Sequence, residues 1–331
     1  MNRDGGSETV GTQTVGALLR EIRDRLDAAG IDHPAADAEL ILGHVLGESR
    51  GRVQALAVTG AGIRTEDREA ARELASERAA RVPLQHLTGR APFRGIELSV
   101  GPGVFVPRPE TETVAQFAID ALMAVPDPSP IAVDLCTGSG AIALAIAQEV
   151  PTSRVWAVEK SREAHAWAER NVAALGAGRV ELLLGDVREL DPRTGAEAAA
   201  GRAVPAGIPA PETQRTRSRA GLAAAFAPLA GRVHVLVSNP PYVPEGMVPR
   251  DPEVREHDPE LALYGGEDGL DLVRVISRVA REFVVPGGTL VLEHAETQGA
   301  AIRALLTADG WRAAATHRDL TLRDRATTAL R

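Results

Sequence analysis

Asn239-Pro240-Pro241-Tyr242, directly after the apolar run Val233–Val237 and Ser238, carries the most specific chemistry in the chain. Two consecutive prolines fix φ and remove two backbone donors, so the corner they make is rich in acceptors. The Asn239 side-chain oxygen and the Pro240 carbonyl can accept both hydrogens of one planar NH₂ group, and the Tyr242 ring offers a flat face to stack on it. Such a nitrogen, in a carboxamide or an aromatic amine, is a poor nucleophile because its lone pair is delocalised. Acceptors on its two hydrogens return electron density to it and fix its orientation toward an electrophile. A proline turn that merely ends a strand is the plainer alternative.

A second cluster stands at the ends of three earlier apolar runs. Val133-Asp134-Leu135-Cys136-Thr137-Gly138-Ser139-Gly140 joins a strand pattern to a helix pattern. Gly138 and Gly140 allow a turn and a close backbone approach that a Cβ would block. The spacing is neither G-x-G-x-x-G nor a P-loop, which disfavours a phosphate cradle. Glu159 ends the second strand, where a carboxylate can accept from both hydroxyls of a ribose. Asp186 ends the third strand after Gly185, where it can receive an adenine amino group. A nucleoside pocket without a phosphate site suits S-adenosylmethionine, whose sulfonium methyl would face the Asn239 corner. Cys136 lies in the turn itself, but no histidine is near it in sequence and burial would raise its pKa, so it reads as packing rather than as a nucleophile. His257, His294 and His317 are scattered without metal-ligand spacing, and no metal is expected.

The elements that must position these groups are legible as periodic runs. Val15, Leu18, Leu19, Ile22 and Leu26 make one helical stripe ended by Gly30. A second helix begins near Pro34, and a third, charged and alanine-rich, spans Glu66 to Ala80. Glycines and prolines punctuate short β-prone pieces from Pro83 to Pro109, the pattern of a hairpin linking two domains. Beyond Pro130, strands at Ile131–Leu135, Arg154–Val158, Val180–Leu184, Val233–Val237 and Thr289–Glu293 alternate with helices at Ala141–Glu149, Arg162–Leu175 and Leu270–Phe283. Continuous apolar strands between helices imply an α/β fold with a parallel sheet buried on both faces. Trp311–His317 and Ala326–Leu330 could supply two further strands, for seven in all. The expected division is a disordered tail over 1–13, a small all-α domain over 14–85, a hairpin linker over 86–108 and the α/β domain over 109–331. The stretch 188–231, rich in alanine, glycine, proline and arginine, reads as a flexible surface insertion, with RNA contact by its arginines as the functional alternative.

The chain has 331 residues, of which 44% are hydrophobic and 25% charged, ordinary globular proportions. Its formal net charge of -8 argues against general nucleic-acid binding through phosphate neutralisation. No apolar run approaches a membrane span and the first residues lack a signal-peptide core, so a cytoplasmic protein with no membrane partner is expected. Its one cysteine excludes a disulfide framework.

Taken together, Pro83-Leu84-Gln85-His86-Leu87-Thr88-Gly89, Phe93, Val106-Pro107-Arg108-Pro109-Glu110-Thr111-Glu112, the Asp134–Gly140 turn, Asn239–Tyr242 and Gly287-Gly288-Thr289-Leu290 leading into Glu293-His294 resemble the N5-glutamine methyltransferases of peptide chain release factors. The likeness runs from about residue 15 to the C-terminus apart from the insertion. It implies a Rossmann-like class I methyltransferase domain with a seven-stranded, mostly parallel sheet, and a helical domain that recognises the substrate. It further implies S-adenosyl-L-methionine as cofactor, class 1 release factors as partners through the glutamine of their Gly-Gly-Gln loop, and a monomer. Under it, Asp134, Cys136, Thr137, Gly138, Ser139, Gly140, Glu159, Asp186, Val187 and Asn239 would contact the cofactor. Asn239, Pro240, Pro241 and Tyr242 would contact the substrate, with Asn239, Pro240 and Tyr242 catalytic. Cys136 stands where the family commonly has glycine, and Val187 where an aromatic residue often stacks. The alternatives are a glutamine methyltransferase of a ribosomal protein, a nucleic-acid amino methyltransferase, and a non-enzymatic adaptor with a dead pocket.

Overall fold

The computed structural model describes residues 13–193 and 221–331, so the expected tail up to residue 12 and the middle of the expected insertion lie outside the described residues. The chain divides into two compact units, one built from the residues up to Gly89 together with Arg250–His257, the other from Arg90–Pro249 and Asp258–Arg331.

The first unit is helical: α1 Val15–Ala28, α2 Pro34–Leu46, α3 Arg50–Val58, α4 Thr65–Ala79 and α5 Leu84–Thr88. The Thr14 hydroxyl accepts the Ala17 amide and starts α1. One face of α1 then buries Leu18, Ile22 and Leu26 against Ile41, Leu42 and Val53. Each such side chain contributes about 1.5–3 kcal/mol on burial. Pro34 opens α2, and Gly47, at φ 66°, closes it. Helix α3 was not anticipated because it buries a single apolar residue, Val53, and so shows no stripe. The short helix Pro252–His257 returns to this unit, far in sequence from the rest. Arg78 of α4 holds it, donating to Asp37 at 2.8 Å and to Glu253 at 2.7 Å, with all three side chains nearly buried.

The second unit opens with the hairpin β1 Arg90–Phe93 and β2 Ile96–Ser99. This corrects the expected linker over 86–108. Ala91, Phe93, Leu98, Val100 and Val104 are buried in the core of the α/β unit, so the hairpin is part of that domain, while α5 belongs to the helical one. There follow α6 Pro109–Met123, β3 Ile131–Leu135, α7 Ala141–Glu149, β4 Arg154–Glu159, α8 Arg162–Leu175, β5 Val180–Leu184, β6 Val233–Ser238, β7 Val284–Glu293, β8 Arg312–Arg318 and β9 Asp324–Leu330. The seven-stranded sheet has the order β5-β4-β3-β6-β7-β9-β8, parallel except around β9. Successive strand residues serve opposite faces: Ala132 and Val291 pack under α6 and α7, whereas Val133, Leu290 and Leu292 pack under the helix Asp271–Phe283.

The edges of the expected insertion are also corrected. Leu190, Leu222, Phe226 and Leu229 are buried in the second of these cores, and Asp191 pairs with Arg278, so residues 188–193 and 221–231 are structural. Their apolar side chains were hidden in a stretch dominated by alanine and proline.

Candidate active site

Parallel pairing sets the strand ends side by side. Leu135 of β3 is in register with Val158 of β4 and with Ser238 of β6, and Ser238 is in register with Leu292 of β7. Cys136, Glu159, Asn239 and Glu293 therefore come out at one carboxyl edge, astride the point between β3 and β6 where strand order reverses. In open α/β sheets that edge is where ligands bind.

The turn after β3 is wound through three left-handed residues, Cys136 at φ 63°, Gly138 at 58° and Gly140 at 86°. For Cys136 this conformation costs about 1–2 kcal/mol, which explains why glycine is at home at such a position. Asp134 braces the turn from within. Fully buried, its Oδ2 accepts from the Thr137 hydroxyl at 2.6 Å and from the Ala143 amide at 3.1 Å, while Oδ1 has no hydrogen-bond partner among the described residues. Burial pushes its carboxyl up to about 7. From outside, Glu159 accepts from the Gly138 amide at 2.9 Å and from the Ser161 amide at 2.7 Å, and burial holds its carboxyl above the usual range. Space beside Gly138 is open, since a Cβ built there meets nothing within 4 Å. Asp186 caps the following short helix through the Arg188 amide and pairs with Lys160 at 3.1 Å.

Two residues expected among the cofactor contacts turn inward. The Asp134 carboxyl is spent on the turn, and the Val187 side chain packs in the core with Leu190 and Leu222. Thr137 and Ser139 are likewise buried, so the turn presents backbone rather than hydroxyls. Burial pushes the Cys136 thiol well above its ordinary value, in line with a packing role.

The Asn239 corner is locked to its neighbours on every side. The Ser238 hydroxyl donates to the Leu135 carbonyl at 2.6 Å, tying β6 to the root of the glycine turn. Asn239 Nδ2 points to the hydroxyl of the buried Thr111, 3.5 Å away in the first turn of α6, and its Oδ1 accepts from no described residue. The Tyr242 phenol, raised above its usual pKa by burial, donates to Glu293 Oε1 at 3.3 Å. Glu293 is buried, its Oε2 has no hydrogen-bond partner among the described residues, and burial pushes its carboxyl up to about 7. Beyond the corner, Val243 exchanges backbone bonds with Leu263 and Gly265, and Gln298 Nε2 donates to the carbonyls of Tyr242 and Asp268. Contact here is so close that a Cβ on Gly265 would fall 2.4 Å from the Pro241 carbonyl oxygen, and one on Gly269 would fall 2.2 Å from that of Tyr242.

Leu263, Gly265 and Gly266 are thus bonded to the main chain just past the corner. Asp258 is held by Arg108 at 2.8 Å. Thr111 and Arg108 lie in the Pro-Arg-Pro-Glu-Thr-Glu stretch quoted above, but Thr111, Glu293 and Gln298 had been assigned no role. His294 is structural: its ring bonds Thr327 and the Ala295 carbonyl, both at 2.8 Å. Among the described residues no group of His, Cys, Asp and Glu could hold a metal ion.

Residues 17–89 match the PrmC N-terminal domain, and residues 132–201 match a methyltransferase domain. The chain is 43% identical over 318 residues to a release factor glutamine methyltransferase of Streptomyces coelicolor, covering 95% of this chain and 96% of that relative. It is 34% identical over 307 residues to a 4-amino-L-phenylalanine/4-methylamino-L-phenylalanine methyltransferase of Streptomyces pristinaespiralis, covering 91% and 90%. A solved release-factor-specific protein-(glutamine-N5) methyltransferase of Alicyclobacillus acidocaldarius is 22% identical over 70% of this chain and 98% of that one, with a TM-score of 0.37.

Proposed function

Because the chain belongs to the release factor glutamine methyltransferase family, we propose that it methylates the side-chain nitrogen (N5) of the glutamine in the Gly-Gly-Gln loop of class 1 release factors, in the cytoplasm. The observation that carries this reading is the Asn239 corner. An asparagine oxygen without a donor among the described residues stands there beside a proline carbonyl, next to a glycine turn backed by a carboxylate.

The residues fit S-adenosylmethionine. The open space beside Gly138 admits close approach, Glu159 offers carboxylate oxygens for a ribose diol, and Asp186 stands at the next strand end for the adenine. When bound, that cofactor supplies a methyl group activated by its sulfonium charge. Everything else falls to the chain. Asn239 Oδ1 and the Pro240 carbonyl accept the two amide hydrogens, orient the nitrogen lone pair and raise its electron density. Tyr242, fixed by Glu293, backs the planar group. After transfer the nitrogen carries one proton too many, acidic enough to leave to water without a strong base. Fixed positioning supplies most of the rate enhancement.

The relative acting on 4-amino-L-phenylalanine supports a second reading, a planar aromatic amine, because the same two acceptors suit it. No described helix is long and apolar enough to cross a membrane. Incubation with methyl-labelled cofactor and, separately, a release factor, a ribosomal protein fraction, duplex DNA and 4-amino-L-phenylalanine tests the choice. Label on the release factor glutamine is expected. Label on any of the others but not on the release factor would overturn it.

A further inference from the structure

Tyr242 closes the Asn239 corner, and both its ring and its main chain are held by the same short piece of chain. Ser238 at the end of β6 is in register with Leu292 near the end of β7, so the segment that follows β7 runs beside the corner. Glu293, the last residue of β7, accepts from the Tyr242 phenol at 3.3 Å. Five residues further on, Gln298 Nε2 donates to the Tyr242 carbonyl at 2.9 Å. The tyrosine is gripped at both ends.

Gln298 is buried, and its carboxamide bonds to three different segments. Its Oε1 accepts from the Ala295 amide at 2.9 Å, while its Nε2 donates to Tyr242 and to the Asp268 carbonyl at 3.1 Å. The Ala295 amide can only donate, so the oxygen must face it and the NH₂ must face the two carbonyls. Among the described residues, neither of those carbonyls accepts from a main-chain amide, so this one side chain serves both. The fit is close, since a Cβ on Gly269 would fall 2.6 Å from Nε2. Only Asn and Gln join two such donors to an acceptor in one planar group, and Asn is a methylene shorter.

The prolines explain why the corner needs such a partner. Pro240 and Pro241 have no N–H, so the corner cannot be anchored through its own amides and must be held by its carbonyls. Their fixed φ also leaves few soft torsions, so a shift of the Tyr242 peptide is passed on to the Pro240 carbonyl rather than absorbed. We infer that Gln298 is a positioning residue for methyl transfer. By clamping the Tyr242 carbonyl to the loop at Asp268, it fixes the Pro240 carbonyl and the Tyr242 ring between which the substrate's planar group is held. This role rests on the function proposed above, and it adds to that machinery a residue that acts only through Tyr242.

Two substitutions separate positioning from a purely structural role. Gln298→Glu keeps an oxygen for Ala295 but, when ionised, loses both donors, whereas Gln298→Met keeps the volume and loses all three bonds. If Gln298 served only to shape the turn before the helix Gly299–Ala308, Gln298→Glu would behave as the parent does. At pH 9 both variants should instead lose turnover on the release factor by ~10²-fold, the scale of a small misplacement, with the calorimetric Kd for S-adenosylmethionine within about twofold of the parent. Between pH 9 and pH 6 the deficit of Gln298→Glu relative to the parent should shrink, because a protonated carboxyl regains one donor, and that of Gln298→Met should stay constant. Hydrogen exchange on the full chain gives a readout without activity. The amides of Val243 and Gly265, bonded to the Leu263 and Val243 carbonyls, should exchange faster in Gln298→Met. Parent-like turnover of Gln298→Glu at pH 9, or unchanged exchange at Val243 and Gly265, would overturn the inference. Faster exchange in the variant, with a parent that leaves the release factor unlabelled, would contradict the proposed function and still support the clamp.

Discussion

Glu159 Oε2 accepts the Gly138 amide at 2.9 Å, so the strand-end carboxylate and the glycine turn on the neighbouring strand form one rigid wall. The carboxylate thus holds the turn in shape and still has lone pairs to offer outward. Glu159→Ala should weaken S-adenosylmethionine binding by ~10-fold or more, since two charge-assisted hydrogen bonds to a diol are worth roughly 1.5–3 kcal/mol each and the turn loses a brace as well. Calorimetric titration measures this, and unchanged affinity would remove Glu159 from the pocket.

Asn239→Ala should do the opposite. Among the described residues its side chain makes one long hydrogen bond, to Thr111, so folding and cofactor affinity should change little. Turnover should drop by ~10²-fold or more, the usual cost of losing one preorganised polar partner. A steady-state assay on the release factor with cofactor in excess separates the two effects.

Most of the frame was open to sequence reading. Ile131–Leu135 and Ala141–Glu149 emerge with the anticipated bounds, because a fully buried strand followed by a glycine turn and an alanine-rich helix leaves no competing periodicity. The hairpin was visible as a hairpin, yet its glycines and prolines say only that the chain turns. That Phe93 and Leu98 enter the α/β core is a fact of tertiary packing. The back of the site was unreadable for a different reason. Asn239 and Thr111 are 128 residues apart, and Tyr242 and Glu293 are 51 apart, so no local spacing could join them. The resemblance put Asp134 among the cofactor contacts, but its side chain points into the protein.

The inward turn of Asp134 has a measurable signature in stability. Burial raises its folded-state pKa from 3.8 to about 7, so the fold favours the protonated form. That contribution is complete below the unfolded value and is lost as pH rises through about 7. Asn at this position carries no charge to bury. Relative to the parent, Asp134→Asn should gain stability from pH 5 to pH 8, by at most about 1.4 kcal/mol per pH unit. Urea midpoints at several pH values test this, and parallel curves for the two proteins would contradict it.

In the helical unit, Arg78→Ala leaves Asp37 nearly buried without Arg78 and Glu253 with Arg81 alone, at 3.4 Å. Breaking a buried pair in this way costs about 3–5 kcal/mol. Burial pushes the Glu253 carboxyl up, but Asp251 and Arg78 outweigh it and hold it at about 2. Its contribution is therefore present above pH 4.5 and lost as pH falls toward 2. The gap between variant and parent should be widest near neutrality and close in acid, with cleavage near Pro252–His257 by a protease as a second readout. A gap that does not change with pH would show that the loss is one of packing alone.

Gly265 and Gly269 have no chemistry of their own, yet they let one stretch of main chain lie flat on the Pro241 and Tyr242 carbonyls. In a survey of random single substitutions they should stand out as silent saboteurs. An alanine at either would pry the corner outward, abolish methyl transfer and leave nucleoside affinity untouched, a phenotype easily mistaken for damage to the reacting groups themselves.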